Sequence, residues 1–470
     1  MTKILYYNYV NFWQEKGGGG VSIYQKNLLD HFCKRDDFKI SYLSSGTRYN
    51  LTTKKVYIRR SLTQYPGCDC FELINSPVIA PAWKSFNDLR NFFSKSDRRV
   101  LDTLIEFIKK QGGYDILHLN NIEGLPLNVL EIKKTFPNMK IVFSLHNYVF
   151  FCPTAQLFHN RRFCVCDTQD RWNDCQHCYV MQPIPKKELI KSCEGIWPTK
   201  FLSSIFKKIC RTFFSKKNKL PYSPTMVTPR ELIDNYPKLI VEEANKYVDV
   251  FISVSRRVKE IATAYGIDES RNKVLYIGTK FADIQEGKQK YAPNKDKLTA
   301  AYLGYARIDK GFYFLLECLR QLPPEQASRL HIKLCAAGLP AHDADEIRSL
   351  APKFAGVEII NGFTHETLPD VLRDVNLGIV PVVWEDNLPQ VAIEMVSQGI
   401  PVLCSSAGGA SELSSVESFR FTANSIPSFM EKFKHFLDQP ERVLDYWEGH
   451  TRLKTMNDHA EELIEVYKER

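Results

Sequence analysis

Short apolar runs alternate with amphipathic helical stretches along this chain, and the alternation stops once and then restarts. In the first half, strand candidates lie at 3–10, 38–43, 115–119, 140–145 and 248–254. Between them, Val21, Tyr24, Leu28, Leu29 and Phe32 form one helical stripe, and Val100, Leu104, Ile105 and Ile108 form another. A polar, charged stretch from Asp283 to Lys297 interrupts the rhythm and predicts a linker near 285–297. New strand candidates follow at 298–303, 332–336, 357–360, 377–380 and 401–404. Strands that alternate with helices build doubly wound parallel sheets, whose ligands collect beyond the strands' C-terminal ends. The expectation is an α/β protein with two such domains, over 1–285 and 296–450, and a last helix within 451–470. That helix carries Ala460, Leu463, Ile464 and Tyr467 on one face.

Size and composition agree. A chain of 470 residues exceeds what one core organises, and 44% hydrophobic with 25% charged residues is ordinary for a soluble globular protein. No apolar run has the length of a membrane-spanning helix. The first ten residues lack a basic head and a cleavage site, so a cytoplasmic location is expected. Thirteen cysteines, an odd number, argue against a disulfide framework in such a chain.

The richest chemistry lies between 381 and 412. Glu394 sits inside the apolar helical run Val391–Val396, and an ionised carboxylate is rarely buried without a partner. Before it, Pro381-Val-Val-Trp-Glu385-Asp386-Asn387-Leu388-Pro389 reads as a strand end, a tight loop and a helix start. Pro389 suits a first helical turn, and the free amides of Asn387, Leu388 and their neighbours would favour an anion. A second glycine loop, Gly408-Gly409-Ala410-Ser411-Glu412, opens the next helix. An anion site with a carboxylate two turns deeper suits a phosphorylated ligand that carries hydroxyls, such as a nucleotide sugar.

This stretch resembles the retaining glycosyltransferases of family GT4. Asp386 and Glu394 have the two-acid spacing of that family, with seven residues between them, followed by Gly399-Ile400-Pro401-Val402 and Gly408-Gly409-Ala410-Ser411-Glu412. The first acid is usually Glu, so Glu385 is an alternative to Asp386. The resemblance implies the GT-B fold: two Rossmann-like domains face each other across a cleft, and the C-terminal helix crosses back to the first domain. It also implies transfer of a sugar from a nucleoside-diphosphate sugar to a hydroxyl with retained configuration, with no metal needed for catalysis. Bacterial surface-polysaccharide enzymes are the type most like this chain, which points to a glycan or lipid-linked glycan acceptor. Other GT-B enzymes (a phosphorylase, an epimerase or a sugar-phosphate synthase) and a non-catalytic membrane-surface scaffold are the alternatives.

Four further places carry site residues. Within Gly17–Gly20, after the first strand, Gly19 and Gly20 allow close backbone approach to a ligand; the family places a glycine pair here against the donor diphosphate and the acceptor. Arg307 and Lys310, near the end of another strand, would neutralise a diphosphate. His146 ends a buried strand where the family has a His touching donor sugar and acceptor, and His118 is a weaker second. Gly362 and Phe363 occupy the loop that holds the nucleobase in the family. The resemblance gives Glu394 the ribose hydroxyls and Asp386 or Glu385 the sugar hydroxyls.

Two segments lie outside these motifs. From Pro183 to Leu220 there are ten Lys or Arg and two Glu, interleaved with Trp197, Phe201, Phe206, Phe213 and Phe214. Such an insert suits an anionic membrane surface on the cytoplasmic side, or simply a solvated helix. Nucleic acid is not an expected partner despite the net charge of +9, because no nucleic-acid module surrounds the patch. Within a cysteine-rich loop at 152–178, Cys164, Cys166, Cys175 and Cys178 form two close pairs, which read as a structural zinc site or as free thiols. Their spacing resembles a cysteine-rich stretch of some GT4 proteins. Four protein ligands would leave such an ion no open position for chemistry.

Overall fold

Strand β1 (Thr2–Tyr7) runs through the middle of an eight-stranded sheet because both of its faces are apolar and covered. The computed structural model describes residues 1–11, 19–50, 52–81, 89–166, 171–175, 178, 230–279, 296–364 and 366–469. The sheet also contains β2 (Phe38–Ser44), β3 (Tyr57–Arg60), β4 (Cys68–Ile74), β5 (Ile116–Leu119) and β6 (Lys140–Leu145). After a two-stranded hairpin, β7 (Phe158–His159) with β8 (Cys164–Val165), it is completed by β9 (Val250–Ser253) and β10 (Asn272–Val274). The strand order is β10-β9-β6-β5-β1-β2-β4-β3. All neighbours are parallel except β3 with β4, so the expected all-parallel sheet needs correction at one edge. Arg59 and Arg60 give β3 the charged character of an edge strand.

The second sheet has the order β13-β12-β11-β14-β15-β16 and is wholly parallel. Its strands are β11 (Leu298–Tyr305), β12 (Leu330–Ala337), β13 (Gly356–Ile360), β14 (Leu377–Val380), β15 (Val402–Ser405) and β16 (Arg420–Phe421). Most of the predicted linker, 285–295, and the basic insert at 183–220 lie outside the described residues. Among the described residues no helix is long and apolar enough to cross a membrane.

The helix Met456–Lys468 does not stay with the second sheet. Ser414 bridges His450 on the second domain, then Thr279 bridges Thr455 on the first, so the chain crosses between them. A capping box starts the helix: the Thr455 hydroxyl accepts from the Asp458 amide, and the Asp458 carboxylate accepts from the Thr455 amide. Ala460, Leu463, Ile464 and Tyr467 are all buried, and Tyr467 packs against Phe32 of the first helix (Gly19–Phe32). Polar anchors reach deeper. Tyr467 OH hydrogen bonds to Tyr6 OH at 2.7 Å and to His118 Nδ1 at 2.6 Å. His459 bonds Tyr24 OH at 2.8 Å and the Tyr276 carbonyl at 2.9 Å.

Candidate active site

Each sheet reverses its winding direction beside its central strand, between β1 and β5 in one domain and between β11 and β14 in the other. Crevices open at such switch points. Here the two crevices face each other and enclose one cavity of 540 Å³, within the range of small-molecule sites. Asn8–Val10, Asn120, Asn121 and Glu123 line it from the first domain, and Arg307, Asp309, Lys310, Trp384 and Asp386–Val391 from the second.

Two glycines let the second wall close up. Gly311 has φ 74°, and a Cβ there would lie 1.7 Å from the Pro381 carbonyl oxygen. Gly408 has φ 78°, and its Cβ would lie 2.0 Å from the Asp386 carbonyl oxygen. Neither position accepts a side chain without moving backbone. Lys310 Nζ is thereby held 2.6 Å from Asp386 Oδ2 and 4.8 Å from the centre of the Trp384 ring. Arg307 also lines the cavity, with its guanidinium paired to both oxygens of Asp309 at 2.8 and 2.7 Å. Asn387, Leu388 and Pro389 reach the cavity at the start of the helix Gln390–Ser397, whose first amides have no partner within the helix. Pro389 stands just before that helix rather than in its first turn.

Of the two adjacent acids, it is Asp386 that lines the cavity. Successive side chains of an extended loop point to opposite sides. Glu385 turns to the back of the loop, accepts both Arg257 Nη2 (2.6 Å) and Nε (3.2 Å) from the first domain, and also accepts the Gly408 amide at 2.9 Å. Glu412 makes a second tie. Its carboxylate accepts the backbone amides of Arg256 and Arg257 at 3.0 and 2.7 Å, where negative charge favours the start of the helix Arg256–Ala264. Asn387 adds a third, donating to the Leu145 carbonyl at 3.1 Å while its own carbonyl accepts from Ser255 Oγ at 2.7 Å.

On the first-domain wall, His146 lines the cavity, lies 3.2 Å from Asn120 Oδ1, and packs on Tyr24 with ring centroids 4.8 Å apart. Burial, and after it the neighbouring His459, lowers its pKa to about 3, so it is neutral at physiological pH. Gly20 lines the cavity opposite Gln390, and Gly19 opens the same helix.

Other expected site residues do not reach the cavity wall. Both ring nitrogens of His118 are engaged, with Ser144 Oγ at 2.8 Å and with Tyr467 OH, so this residue anchors the last helix. Gly362 and Phe363 follow β13 but are not part of the lining. Glu394 is buried one turn beyond Gln390 and Val391, which do line the cavity, and on the same helical face.

The cysteines divide differently from the expected set. Cys166, Cys175 and Cys178 line a separate cavity of 10 Å³ together with Cys152, whereas Cys164 does not. Burial raises the pKa of Cys166 to about 12, with the neighbouring thiols adding to it, and raises Cys175 and Cys178 in the same way. As placed, no three His, Cys, Asp or Glu among the described residues form a group able to hold a metal ion.

Residues 297–439 match the model of the family Glycosyl transferases group 1. A comparison with curated protein sequences finds no match. Among solved structures, the chain is similar to sucrose-phosphate synthase from Thermosynechococcus elongatus, at 13% identity and TM-score 0.56, covering 100% of this chain and 98% of that one. It is similar to Anabaena HepE in complex with UDP and glucose, at 14% identity and TM-score 0.55 over 100% of both chains. A UDP-forming α,α-trehalose-phosphate synthase from Burkholderia xenovorans, in complex with glucose-6-phosphate, has 12% identity and TM-score 0.57, covering 99% of this chain and 100% of that one. The chain has the two-domain α/β architecture of GT-B glycosyltransferases. The family match over 297–439 supports a glycosyltransferase.

Proposed function

We propose that the protein is a retaining glycosyltransferase that moves a sugar from a nucleoside-diphosphate donor to a hydroxyl of a glycan. The observation that carries this reading is the facing pair of switch-point crevices, with Lys310, Arg307 and a helix start on one wall and neutral His146 on the other. Departure of the donor's diphosphate builds negative charge, and fixed cations and amide dipoles in a cavity stabilise it. Lys310 and the amides at 387–391 hold that charge, Arg307 adds to it by releasing Asp309, and Asp386 accepts hydroxyls of the transferred sugar. Glu394 and the loop at 362–363 serve the ribose and base. Retention follows when the acceptor hydroxyl enters on the face from which the diphosphate leaves, and the diphosphate takes its proton. The basic, aromatic insert supports a lipid-linked intermediate of capsule, O-antigen or exopolysaccharide synthesis as acceptor, met at the cytoplasmic membrane surface.

The test is nucleotide release across a panel of UDP- and GDP-sugars, with and without EDTA. One donor class is expected to turn over, and excess EDTA is expected to leave the rate unchanged, because protein groups carry the diphosphate. A strict requirement for Mg²⁺ or Mn²⁺ would count against this site.

A structural zinc ion belongs to the same proposal, with Cys152 in place of Cys164. Cys152, Cys166, Cys175 and Cys178 would have to close on the ion from their present positions. Protein purified without added zinc is then expected to carry about one equivalent, lost in Cys175→Ser. A content far below one, unaffected by that substitution, would rule the ion out.

A further inference from the structure

Three thiols meet where the first helix ends beside β4, and none of them lines the cavity. Cys68 and Cys70 are two apart on β4, so both point to one face of the sheet. Cys33 directly follows the helix Gly19–Phe32. Gly67 permits its close approach: a Cβ at this residue (φ 73°) would lie 2.8 Å from Cys33 Cβ. Tyr65 OH donates to Asp30 Oδ1, which clamps the turn before β4 to the last turn of the helix. The Cys68 thiol is thereby in hydrogen-bonding contact with the thiols of both Cys33 and Cys70. All three are free cysteines, but they are not equivalent. Cys70 Sγ is fully buried and already accepts the Tyr65 amide at 3.4 Å. Cys33 is only half-buried, so a small solute reaches it. Donation from Cys68 lowers the pKa of Cys33 and favours its thiolate, the reactive form.

We infer that Cys33 and Cys68 form a reversible oxidation site, at which hydrogen peroxide converts the two thiols into a disulfide. The Cys33 thiolate attacks one peroxide oxygen, the O–O bond breaks, and the departing hydroxide takes up a proton and leaves as water. Cys33 then carries a sulfenic acid. The Cys68 sulfur attacks the Cys33 sulfur, the S–O bond breaks, and the Cys68 proton leaves with the hydroxyl as a second water. Two thiols and one peroxide thus give one disulfide and two waters. An accessible thiolate beside a second thiol is the arrangement of oxidation-sensitive cysteines. Cys68 is the partner rather than Cys70, whose sulfur the Tyr65 amide holds in place. The new bond ties β4 to the end of the helix whose first turn, at Gly20, lines the cavity.

Exposure of the whole protein to hydrogen peroxide, followed by blocking of the remaining thiols, digestion and tandem mass spectrometry, tests this. The expected product is a peptide pair linked from Cys33 to Cys68, which dithiothreitol undoes. It should form about ten-fold or more faster than the buried Cys318, Cys335 and Cys404 lose their thiols. In Cys68→Ser, Cys33 is expected to persist as a sulfenic acid that dimedone traps. In Cys33→Ser, Cys68 and Cys70 are expected to stay reduced over the same exposure. The wild-type product is read without either variant, so a variant that fails to fold leaves the test decisive. Oxidation of Cys33 no faster than the three buried thiols, a bond from Cys33 to Cys70 or elsewhere, or a bond between Cys68 and Cys70 would overturn the assignment.

Discussion

Lys310→Ala will lower kcat/KM for the sugar donor by about 100- to 1,000-fold in a protein that still folds, a loss of about 3–4 kcal/mol of transition-state stabilisation. The lysine is the cation that the glycine-enforced approach of two loops holds over the cavity, 2.6 Å from Asp386. On the proposed glycosyl-transfer reading, donor binding draws the ammonium from the Asp386 carboxylate toward the diphosphate and frees that carboxylate for the sugar. Alanine removes the charge and leaves Asp386 without this partner, at a cost to stability of about 1–3 kcal/mol. Glu394→Gln, buried one turn beyond the cavity wall, is expected to abolish most transfer as well, with the fold intact. Turnover and circular dichroism on the two variants decide the matter. Wild-type rates in folded Lys310→Ala would remove this residue from the site.

Acidification from pH 7 to pH 5 will destabilise the protein before most carboxylates titrate. Burial lowers the pKa of His146 to about 3 and of His459 to about 4, and holds His118 well below its ordinary value. The sign follows from proton counts. Below the unfolded-state pKa of 6.5 the unfolded chain binds a proton at each of these positions and the native state does not, so stability falls with falling pH. Between pH 7 and pH 5, His146 and His459 each remove about 2 kcal/mol, and the pair removes about 4 kcal/mol, a large part of an ordinary domain's stability. His118 acts in the same direction. His118 and His459 both anchor the last helix, so that helix should detach first. Urea titrations at pH 7 and pH 5 measure the change, and equal midpoints would contradict the burial of these histidines as neutral groups.

The strand rhythm was readable because apolar runs and helical stripes are local patterns. The strands at 140–145 and 377–380 match those found. β3 and β4 escaped because Arg59, Arg60, Asp69 and Glu72 break the apolar run, and β10 because it is only three residues long. Lys310 and Asp386 were legible through their spacing. The choice between Asp386 and Glu385 was not, since it depends on which way a loop side chain turns, and Arg257, 128 residues away, decides that. The tie from Glu412 to the Arg257 amide spans 155 residues and has no local trace. His118 was misplaced because its partner Tyr467 comes 349 residues later. Glu123 could have been found. It lines the cavity with Asn120 and Asn121 in the segment after β5, beside a switch point, and polar residues there face a ligand.

The bond between Tyr6 and Tyr467 joins residues 461 positions apart, and this has a consequence for biogenesis. The domain whose strands leave the ribosome first is completed last. At 5–20 residues per second, β1 waits about 25–90 s for the helix that covers its tyrosine. Through that interval Tyr6, Tyr24 and Phe32 border an open groove, and His118 lacks the Tyr467 hydroxyl. Both sheets are in hand once β16 is made. At that point the first domain still lacks the helix Met456–Lys468 over β1, although Glu385, Asn387 and Glu412, which tie the two domains together, are already made. A cell that makes this protein thus gains a composite site late in synthesis, and a chain cut short before the last helix would lack its cover over β1 however well its second domain folded.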